Sequence, residues 1–356
     1  PTLHPKSSML GTQPFDQPKG LKMRILITGV AGFLGSHLAD AFLNRGDTVV
    51  GIDNLLGGYT ENVPSGVEFH QQDLSNLSVV SEYFIGVDLV IHTACTAYEG
   101  LSVFSPALVC QNTYQITAAA LSASVKNGVK KFVFMSSMAR YGTQETLPFT
   151  ENLRPNPQDP YGISKYAAEL LVENISRTHG MDYVILVPHN IIGPRQKFDD
   201  PYRNVASIMI NRLLQGKAPV IYGNGNQRRC FSFIQDVVNP IITACLNPDI
   251  NGLIINIGPD EEFITINELA KKLSALLEYS GKPLYFPDRP QEVKDANCSA
   301  DLARKLLNYQ TTVPLDQGLA DLVSWVKSMG AREFVYHLPL EFIRPDTPKT
   351  WSDKIM

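Results

Sequence analysis

Residues 23–38 read MRILITGVAGFLGSHL, and this stretch decides the fold. Its apolar, β-branched start predicts a short buried strand, and three glycines at intervals of three residues follow. Gly29 permits a tight turn, Gly32 lets the backbone come close to a ligand, and Gly35 lets the next helix pack against the strand. The N-terminus of that helix attracts anions. The stretch therefore predicts a strand, turn and helix that bind the pyrophosphate of a dinucleotide.

Similar apolar runs recur through the first half of the chain, separated by segments of helix length. They lie at 48–52, 67–70, 87–94, 130–136 and 183–188. Near-continuous apolar strands that alternate with helices specify a parallel sheet covered on both faces. The predicted fold class is therefore α/β: a doubly wound parallel sheet of the Rossmann type, with a smaller α/β lobe that binds the substrate.

The composition changes along the chain and predicts four segments. Residues 1–22 are polar and aperiodic and are expected to form a flexible extension, and residues 23–190 form the dinucleotide-binding domain. Residues 191–330, with shorter strands and more turn signals, form mainly the substrate-binding lobe. Residues 331–356 form a C-terminal extension that is rich in aromatic side chains. We expect it to pack on the body or on a second subunit.

Charge and cysteine content exclude several classes of protein. The chain of 356 residues has 31 Lys and Arg against 35 Asp and Glu, without long basic clusters, so neither nucleic acid nor an anionic membrane is expected as a partner. No apolar run approaches the ~18 residues of a membrane span. The five cysteines are far apart and lack metal-ligand spacing. They predict reduced thiols, no metal site and a cytoplasmic location.

The end of the second predicted strand identifies the dinucleotide. Asp53 lies there, 18 residues after Gly35, where a carboxylate accepts hydrogen bonds from the adenosine ribose and repels a 2′-phosphate. The following segment, 54–59, has no Arg or Lys, so NAD is expected rather than NADP. Asp73 either meets the adenine or caps the next helix. The predicted cofactor contacts on these strands and turns are Gly29, Gly32, Phe33, Leu34, Gly35, Asp53, Asn54, Asp73, Leu74, Thr93 and Ala94.

A possible acid–base site follows in the middle of the chain. Tyr161 and Lys165 come after the helix-starting Pro160 and share one helical face, and Ser137 ends the preceding strand. Lowering a tyrosine pKa from about 10 to about 7 needs roughly 4 kcal/mol. An ammonium group ~4 Å away supplies about that much at an effective dielectric constant of ~20, and the cationic nicotinamide ring adds to it. Tyr161 is therefore predicted to be a general base.

These motifs together resemble the extended short-chain dehydrogenase/reductases, specifically the NAD-dependent nucleotide-sugar epimerase/dehydratase family, over residues 23–328. The segments 159–169 and 188–204 look most like bacterial UDP-hexose 4-epimerases. The resemblance implies that Ser137, Tyr161 and Lys165 are catalytic, and that Tyr161 and Lys165 also contact NAD.

The resemblance implies further contacts outside the catalytic group. Asn112 is expected near the cofactor, and Asn190, Arg229 and Arg289 are expected on the substrate diphosphate. Bidentate arginines suit that role chemically. Asn297 or its neighbour Cys298 corresponds to a position that controls room for a 2-acetamido group, so N-acetylated sugars are expected to fit.

The reaction is expected to be simple. Family 4,6-dehydratases carry Asp-Glu after the catalytic hydroxyl residue, whereas this chain has Met138 and Ala139. This favours 4-epimerisation of a UDP-hexose through a transient 4-keto sugar. A nucleotide-sugar 4-dehydrogenase, a dehydratase-type step in deoxysugar synthesis and a non-catalytic NAD-binding regulator are the alternatives. Arg140 either pairs with a carboxylate on an unusual sugar or reaches solvent.

Family members commonly dimerise through two long helices. The corresponding segments are 106–127 and 161–178. A homodimer with a four-helix interface is therefore expected.

Overall fold

The structure is a computed structural model that describes residues 22–356. The expected N-terminal extension, 1–22, lies outside the described residues except for Lys22. The strands are β1 (Arg24–Thr28), β2 (Thr48–Asp53), β3 (Glu68–Gln71), β4 (Leu89–His92), β5 (Lys131–Met135), β6 (Asp182–Pro188), β7 (Ile191–Ile192), β8 (Val220–Tyr222), β9 (Arg228–Arg229), β10 (Ser232–Phe233), β11 (Ile254–Ile257), β12 (Ile264–Thr265), β13 (Leu284–Phe286) and β14 (Asp295–Ala296).

The helices alternate with the strands through the first half of the chain. They are α1 (Phe33–Arg45), α2 (Leu77–Val80), α3 (Glu99–Ser102), α4 (Pro106–Cys110), α5 (Ile116–Lys126), α6 (Pro160–His179), α7 (Val205–Leu214), α8 (Ile234–Leu246), α9 (Ile266–Leu276), α10 (Asp301–Leu307), α11 (Leu315–Met329) and α12 (Lys349–Ser352). A π-helical turn, Gln111–Gln115, joins α4 to α5. Within residues 22–356, no helix combines the length and the apolar character that crossing a membrane would require.

The main sheet has seven parallel strands in the order β11-β6-β5-β4-β1-β2-β3. The middle strands are apolar along almost their whole length because helices cover both faces. Helices α5 and α6 pack on one face, and α1, α8 and α10 pack on the other. The predicted doubly wound α/β fold is thus confirmed. The strand order reverses between β1 and β4, which places a ligand crevice at the carboxyl ends of these strands.

The second half of the chain divides its residues between two places. Strand β11 pairs with β6 and completes the main sheet, and α8 joins the core beneath it. Helices α7, α9 and α11 enclose a separate apolar core with the short strands around them. The segment 191–330 therefore builds the smaller lobe and also returns to the dinucleotide-binding sheet.

The C-terminal segment 331–356 packs on the body of the same chain. Trp351 and Leu338 are buried with Tyr98, Phe104 and Tyr202 in one aromatic cluster. Burial of large aromatic side chains is strongly stabilising, at roughly 1.5–3 kcal/mol for each fully buried apolar side chain. The expectation was packing on the body or on a second subunit, and the structure shows packing on the body.

Candidate active site

One large cavity, of about 420 Å³, lies at the carboxyl ends of the main-sheet strands and below the smaller lobe. This is where a doubly wound sheet binds its ligand. The predicted site residues that line it are Gly29, Gly32, Phe33, Leu34, Gly35, Asp53, Asn54, Asp73, Leu74, Thr93, Ala94, Asn112, Ser137, Tyr161, Lys165, Asn190, Arg229 and Arg289. The fold thus brings together residues that lie as much as 260 positions apart in the sequence.

The glycine turn is built as its spacing predicts. Gly29 has φ +73°, and a Cβ on it would lie 2.8 Å from the backbone nitrogen of Ala94. A Cβ on Gly35 would collide with the carbonyl oxygen of Gly29, so only glycine lets α1 come this close. Gly32 precedes α1, and no side chain caps this helix end. The first backbone N–H groups of α1 are therefore available to a phosphate.

Asp53 is held at the edge of this turn. Its carboxylate accepts hydrogen bonds of 2.9 Å from the backbone nitrogen of Ala31 and 2.7 Å from that of Leu55. Burial raises the pKa of Asp53, and the two backbone hydrogen bonds counteract part of that rise. Asp73 lies at the next strand end, is exposed and accepts a hydrogen bond of 3.0 Å from Asn54. The helix that follows begins after Asn76, so Asp73 is not its N-cap.

Asn112 reaches the cavity from the π-helical turn between α4 and α5. The carbonyl oxygen of Asn112 accepts a hydrogen bond of 3.1 Å from the backbone nitrogen of Thr96, in the loop after β4. π-Helical turns inside helices often occur at functional sites. This one joins Asn112 to the loop after β4, which also lines the cavity.

The start of α6 carries the predicted acid–base group. Asp159 caps this helix by accepting a hydrogen bond of 2.9 Å from the backbone nitrogen of Gly162. The capped turn presents Tyr161, which is 5% exposed, and Lys165, which is 1% exposed, to the cavity. The Lys165 Nζ atom donates a 2.6 Å hydrogen bond to the carbonyl oxygen of Met135 and lies 5.9 Å from the centre of the Tyr161 ring.

The pKa of Tyr161 is set by several neighbours. Burial raises it well above 10, and the charges of Cys95 and Glu99 act in the same direction. Ser137 and Arg203 lower it, but by less than burial raises it. The predicted lowering of this pKa depends on the Lys165 ammonium together with the positive nicotinamide ring, and the protein groups alone do not produce it. The reason is that removing a buried phenolate from water is unfavourable unless enough positive charge lies beside it.

The two predicted diphosphate arginines meet in the cavity wall. Arg289 donates a 2.9 Å hydrogen bond to Glu292, and Arg229 donates one of 2.6 Å to the carbonyl oxygen of Val293. Glu99 faces the cavity beside them. Although its side chain is exposed to the cavity, enclosure by the walls and then the charge of Asp159 raise its pKa to about 7.

Asn190 is the third residue predicted to bind the diphosphate. It has φ +42°, in the left-handed region, and its side-chain nitrogen donates a 3.0 Å hydrogen bond to the carbonyl oxygen of Cys230. This bond ties Asn190 to the residue that follows Arg229. Hydrogen bonds thus link the separate segments that carry the predicted anion contacts, Asn190 to Cys230 and Arg229 to Val293.

Asn297 is not part of the cavity wall, contrary to the expectation, and neither is Cys298. The Asn297 side chain donates a 3.3 Å hydrogen bond to the carbonyl oxygen of Asp260 and accepts one of 3.3 Å from the Cys230 thiol. Its backbone is held to Phe149 by a hydrogen bond of 2.7 Å. These hydrogen bonds hold the side chain outside the cavity wall. Asn297 therefore does not indicate whether N-acetylated sugars fit.

Arg140 follows neither of the two expected roles. Its Nε atom lies 2.9 Å from a carboxylate oxygen of Glu169, and both side chains are only 3% exposed. Glu169 also accepts a hydrogen bond from Ser136, the residue before Ser137. Arg140 is therefore part of a buried ion pair beneath the catalytic strand end. Sequence alone misses this pair because its two partners lie 29 positions apart.

Many residues of the cavity wall were not predicted from the sequence. Among them are Arg203, Tyr222, Trp351 and Met356. The aromatic content of the C-terminal segment indicated that it packs on a surface, but nothing in its pattern indicated which one. A Cβ on Gly100 would lie 3.1 Å from the Trp351 ring and 3.3 Å from Arg289. The indole therefore occupies the space beside a glycine next to the arginine pair.

Comparison with known proteins agrees with this geometry. The model of the NAD dependent epimerase/dehydratase family matches residues 25–258. A UDP-glucose 4-epimerase from Mycolicibacterium smegmatis is 30% identical over 315 residues, which make up 86% of this chain and 99% of that relative. Proteins named UDP-glucuronate 4-epimerase, UDP-glucuronic acid decarboxylase and dTDP-glucose 4,6-dehydratase are also similar.

Solved structures show the same similarity. The UDP-glucose 4-epimerase of Thermotoga maritima with UDP-glucose has a TM-score of 0.81 and 32% identity, covering 86% of this chain and 99% of that one. The UDP-glucose 4-epimerase of Thermus thermophilus in complex with NAD has a TM-score of 0.80 and 29% identity, with the same two coverages. The cofactor is NAD, which suits the uncapped N-terminus of α1 and the carboxylate of Asp53. This chain belongs to the NAD-dependent epimerase/dehydratase family.

Proposed function

We propose that this protein catalyses the NAD-dependent 4-epimerisation of a UDP-hexose through a transient 4-keto sugar. The observation that carries the proposal is that one cavity is lined both by Ser137, Tyr161 and Lys165 and by the arginine pair Arg229 and Arg289. The first group suits proton transfer at a sugar hydroxyl, and the second suits a diphosphate.

The chain's own residues have distinct tasks in this reaction. When bound, NAD supplies the hydride acceptor, the hydride donor and a positive ring charge. Tyr161 removes the proton from the sugar 4-hydroxyl and later returns it, and Ser137 hydrogen-bonds the same oxygen. Lys165, held by the carbonyl oxygen of Met135, fixes the cofactor ribose and keeps a cation near the phenol. Because burial raises the pKa of Tyr161, the proposal requires the cofactor's charge to offset that rise.

Epimerisation also requires the sugar to turn over between the two hydride transfers. Arg229, Arg289 and Asn190 support a firm hold on the diphosphate, since their backbones and side chains are tied by hydrogen bonds to neighbouring loops. The walls nearer to Tyr161 include the small residues Ala97 and Ser137. A firmly bound nucleotide and a loosely bound sugar are what this chemistry needs.

The residues after Ser137 argue against dehydration. Met138 and Ala139 are buried and have no ionisable group, whereas eliminating water needs an additional acid and base at that place.

The comparisons favour UDP over other nucleotides as the carrier, because UDP-sugars recur in the names of the similar proteins.

The five cysteines are free thiols in the described structure, which supports the expected cytoplasmic location.

The decisive experiment incubates the purified protein and catalytic NAD with single UDP- and GDP-sugars. We expect C4 epimers to interconvert from either side, with only a transient absorbance of reduced cofactor. Stoichiometric accumulation of reduced cofactor would instead identify a 4-dehydrogenase, and loss of water from the sugar a dehydratase. Binding of NAD and UDP-sugar without any turnover would leave the regulatory alternative.

We also infer a homodimer. Ile163 and Leu170 lie seven residues apart on one face of α6 and are 52% and 51% exposed. Tyr114, which is 40% exposed, lies on the helical turn 111–115 that packs against α6. Exposed apolar side chains on adjacent helices are typical of a helix-bundle interface. Light scattering of the protein and of an Ile163→Asp/Leu170→Asp variant tests this inference. The variant is expected to be monomeric.

A further inference from the structure

Arg203 lies in the loop between β7 and α7 and reaches the cavity near its catalytic end. Its guanidinium carbon is 4.9 Å from the centre of the Tyr98 ring, and the side chain is half-buried. The exposed part faces the cavity, which Arg203 shares with Tyr161 and Cys95. No carboxylate oxygen of residues 22–356 lies within ion-pair distance, 4.0 Å, of Arg203. The cavity thus contains an arginine without a directly paired anion.

Asp200 is the acidic residue close to Arg203 in the same loop, but its hydrogen bonds go elsewhere. It is completely buried and accepts hydrogen bonds of 2.5 Å from the Tyr98 hydroxyl and 2.8 Å from the backbone nitrogen of Tyr202. It also lies 4.0 Å from His337, and it does not line the cavity. Asp200 therefore lies behind the wall, whereas Arg203 is available to a ligand.

The other charges of the cavity lie at different places. Arg229 and Arg289 have Glu292 and Glu99 beside them, and this group suits the diphosphate. Arg203 instead acts electrostatically on Tyr161, where the sugar reacts. Glu99 acts on Tyr161 in the opposite direction, but enclosure and the charge of Asp159 raise its own pKa to about 7, which reduces its negative charge near neutral pH.

A cation in the wall of this cavity, close enough to act electrostatically on Tyr161, favours a sugar that carries its own negative charge. In a hexose, C6 is joined to C4 through C5, so a carboxylate at C6 lies close to the hydroxyl that Tyr161 deprotonates. Arginine pairs with a carboxylate through two parallel hydrogen bonds, and such bonds are strong where water is excluded.

We propose that Arg203 binds the C6 carboxylate of the sugar, and that the preferred substrates are nucleoside-diphosphate hexuronic acids rather than neutral hexoses. This inference rests on the proposed function for the placement of the sugar at Tyr161. It makes Arg203 a specificity-determining residue, whereas the arginine pair recognises the diphosphate that all these substrates share.

The test measures binding rather than turnover. Titration calorimetry is carried out on the full chain carrying Tyr161→Phe and saturated with NAD, so that neither ligand reacts. UDP-glucuronate and UDP-glucose are the two probes, and they differ only in the oxidation state of C6. We expect UDP-glucuronate to bind at least about tenfold more tightly, as one charge-assisted contact provides. Arg203→Gln should abolish this difference, and Arg203→Lys should retain part of it.

Two matched substitutions separate Arg203 from other causes. Arg289→Gln should weaken both probes by the same factor, and Arg177→Gln, on the exposed face of α6, should change neither. Equal binding of the two probes, or a preference that persists in Arg203→Gln, would overturn the inference. An equal loss of both probes in Arg203→Gln would mean that Arg203 supports the loop or the diphosphate, which also overturns it. Because the binding assay needs no turnover, a lack of epimerase activity does not change its result. Failure of this inference and failure of the epimerase proposal are therefore distinguishable.

Discussion

The indole nitrogen of Trp351 donates a 3.1 Å hydrogen bond to the carbonyl oxygen of Pro201. Pro201 lies two positions before Arg203, and the intervening Tyr202 donates a 2.9 Å hydrogen bond to the carbonyl oxygen of Leu338. The C-terminal segment therefore holds the loop that carries Arg203 at two adjacent residues, Pro201 and Tyr202. It shapes the substrate cavity although it lies outside the matched family segment, 25–258.

Trp351→Ala should weaken substrate binding more than it slows the chemistry. We expect KM for the nucleotide sugar to rise about tenfold, corresponding to ~1.4 kcal/mol, because the loop and the wall beside Gly100 lose their support. Steady-state kinetics measure the change. Phe342→Ala, at an exposed position of the same segment, is the control and should leave KM unchanged. Trp351→Phe keeps the packing without the hydrogen bond, and an unchanged KM in Trp351→Ala would contradict the role of this segment.

Tyr161→Phe should lower kcat by about 10²- to 10⁴-fold, the usual contribution of a positioned acid–base group. The pH dependence of the rate shows the direction in which the pKa of Tyr161 is shifted. The reactive form is the phenolate, and burial raises the pKa of this phenol. The rate of the wild-type enzyme should therefore increase with pH from about 7 to about 9, where most tyrosines are still protonated. Tyr166→Phe, on the same helix, should keep both the rate and the profile. A wild-type rate that falls over this range would exclude Tyr161 as the base.

Asp53→Asn should reduce the preference for NAD over NADP by about tenfold, because the side chain loses the charge that repels a 2′-phosphate. The amide can still accept one of the two backbone hydrogen bonds that Asp53 accepts from Ala31 and Leu55. Dissociation constants for both cofactors, measured by calorimetry, give the ratio. Glu68→Gln removes a carboxylate on the neighbouring edge strand and should not alter it. An unchanged ratio in Asp53→Asn would place cofactor selection elsewhere.

Removing one partner of the buried pair Arg140 and Glu169 should lower the free energy of unfolding strongly, whereas replacing both partners with apolar residues should lower it much less. Glu169→Gln leaves a buried guanidinium without its counter-charge, and we expect the free energy of unfolding to fall by about 3–5 kcal/mol. Arg140→Met/Glu169→Leu removes both charges and should recover most of that loss. Urea unfolding measures each value.

The exposed pair Arg177 and Glu173 on the same helix provides the comparison for the buried pair. Disrupting it with Arg177→Gln should cost under about 1 kcal/mol, because solvent screens exposed ion pairs. If Arg140→Met/Glu169→Leu is as unstable as Glu169→Gln, the pair stabilises the fold by more than the neutralisation of one charge by the other.

The agreement between sequence and structure is closest where a function depends on neighbouring residues. The glycine turn at Gly29 lies within one strand-to-helix connection, and Tyr161 and Lys165 lie within the first turns of α6, so their spacing alone specifies their geometry. Asn297 shows the opposite case. It lies at the expected place in the chain, but hydrogen bonds to Asp260 and Cys230 turn it away from the cavity. A local pattern contains no information about such distant partners.

The order of apolar strands and the spacing of glycines determined the class of fold and the dinucleotide, and the spacing of tyrosine and lysine gave the predicted acid–base group, because backbone periodicity makes each of these a short-range property. Only the tertiary structure decided that Trp351 closes the cavity, that Arg140 is neutralised by Glu169, and that Arg203 faces the catalytic end. Each of these outcomes depends on packing between segments distant in the chain, where shape and burial select one arrangement among many that the sequence pattern allows.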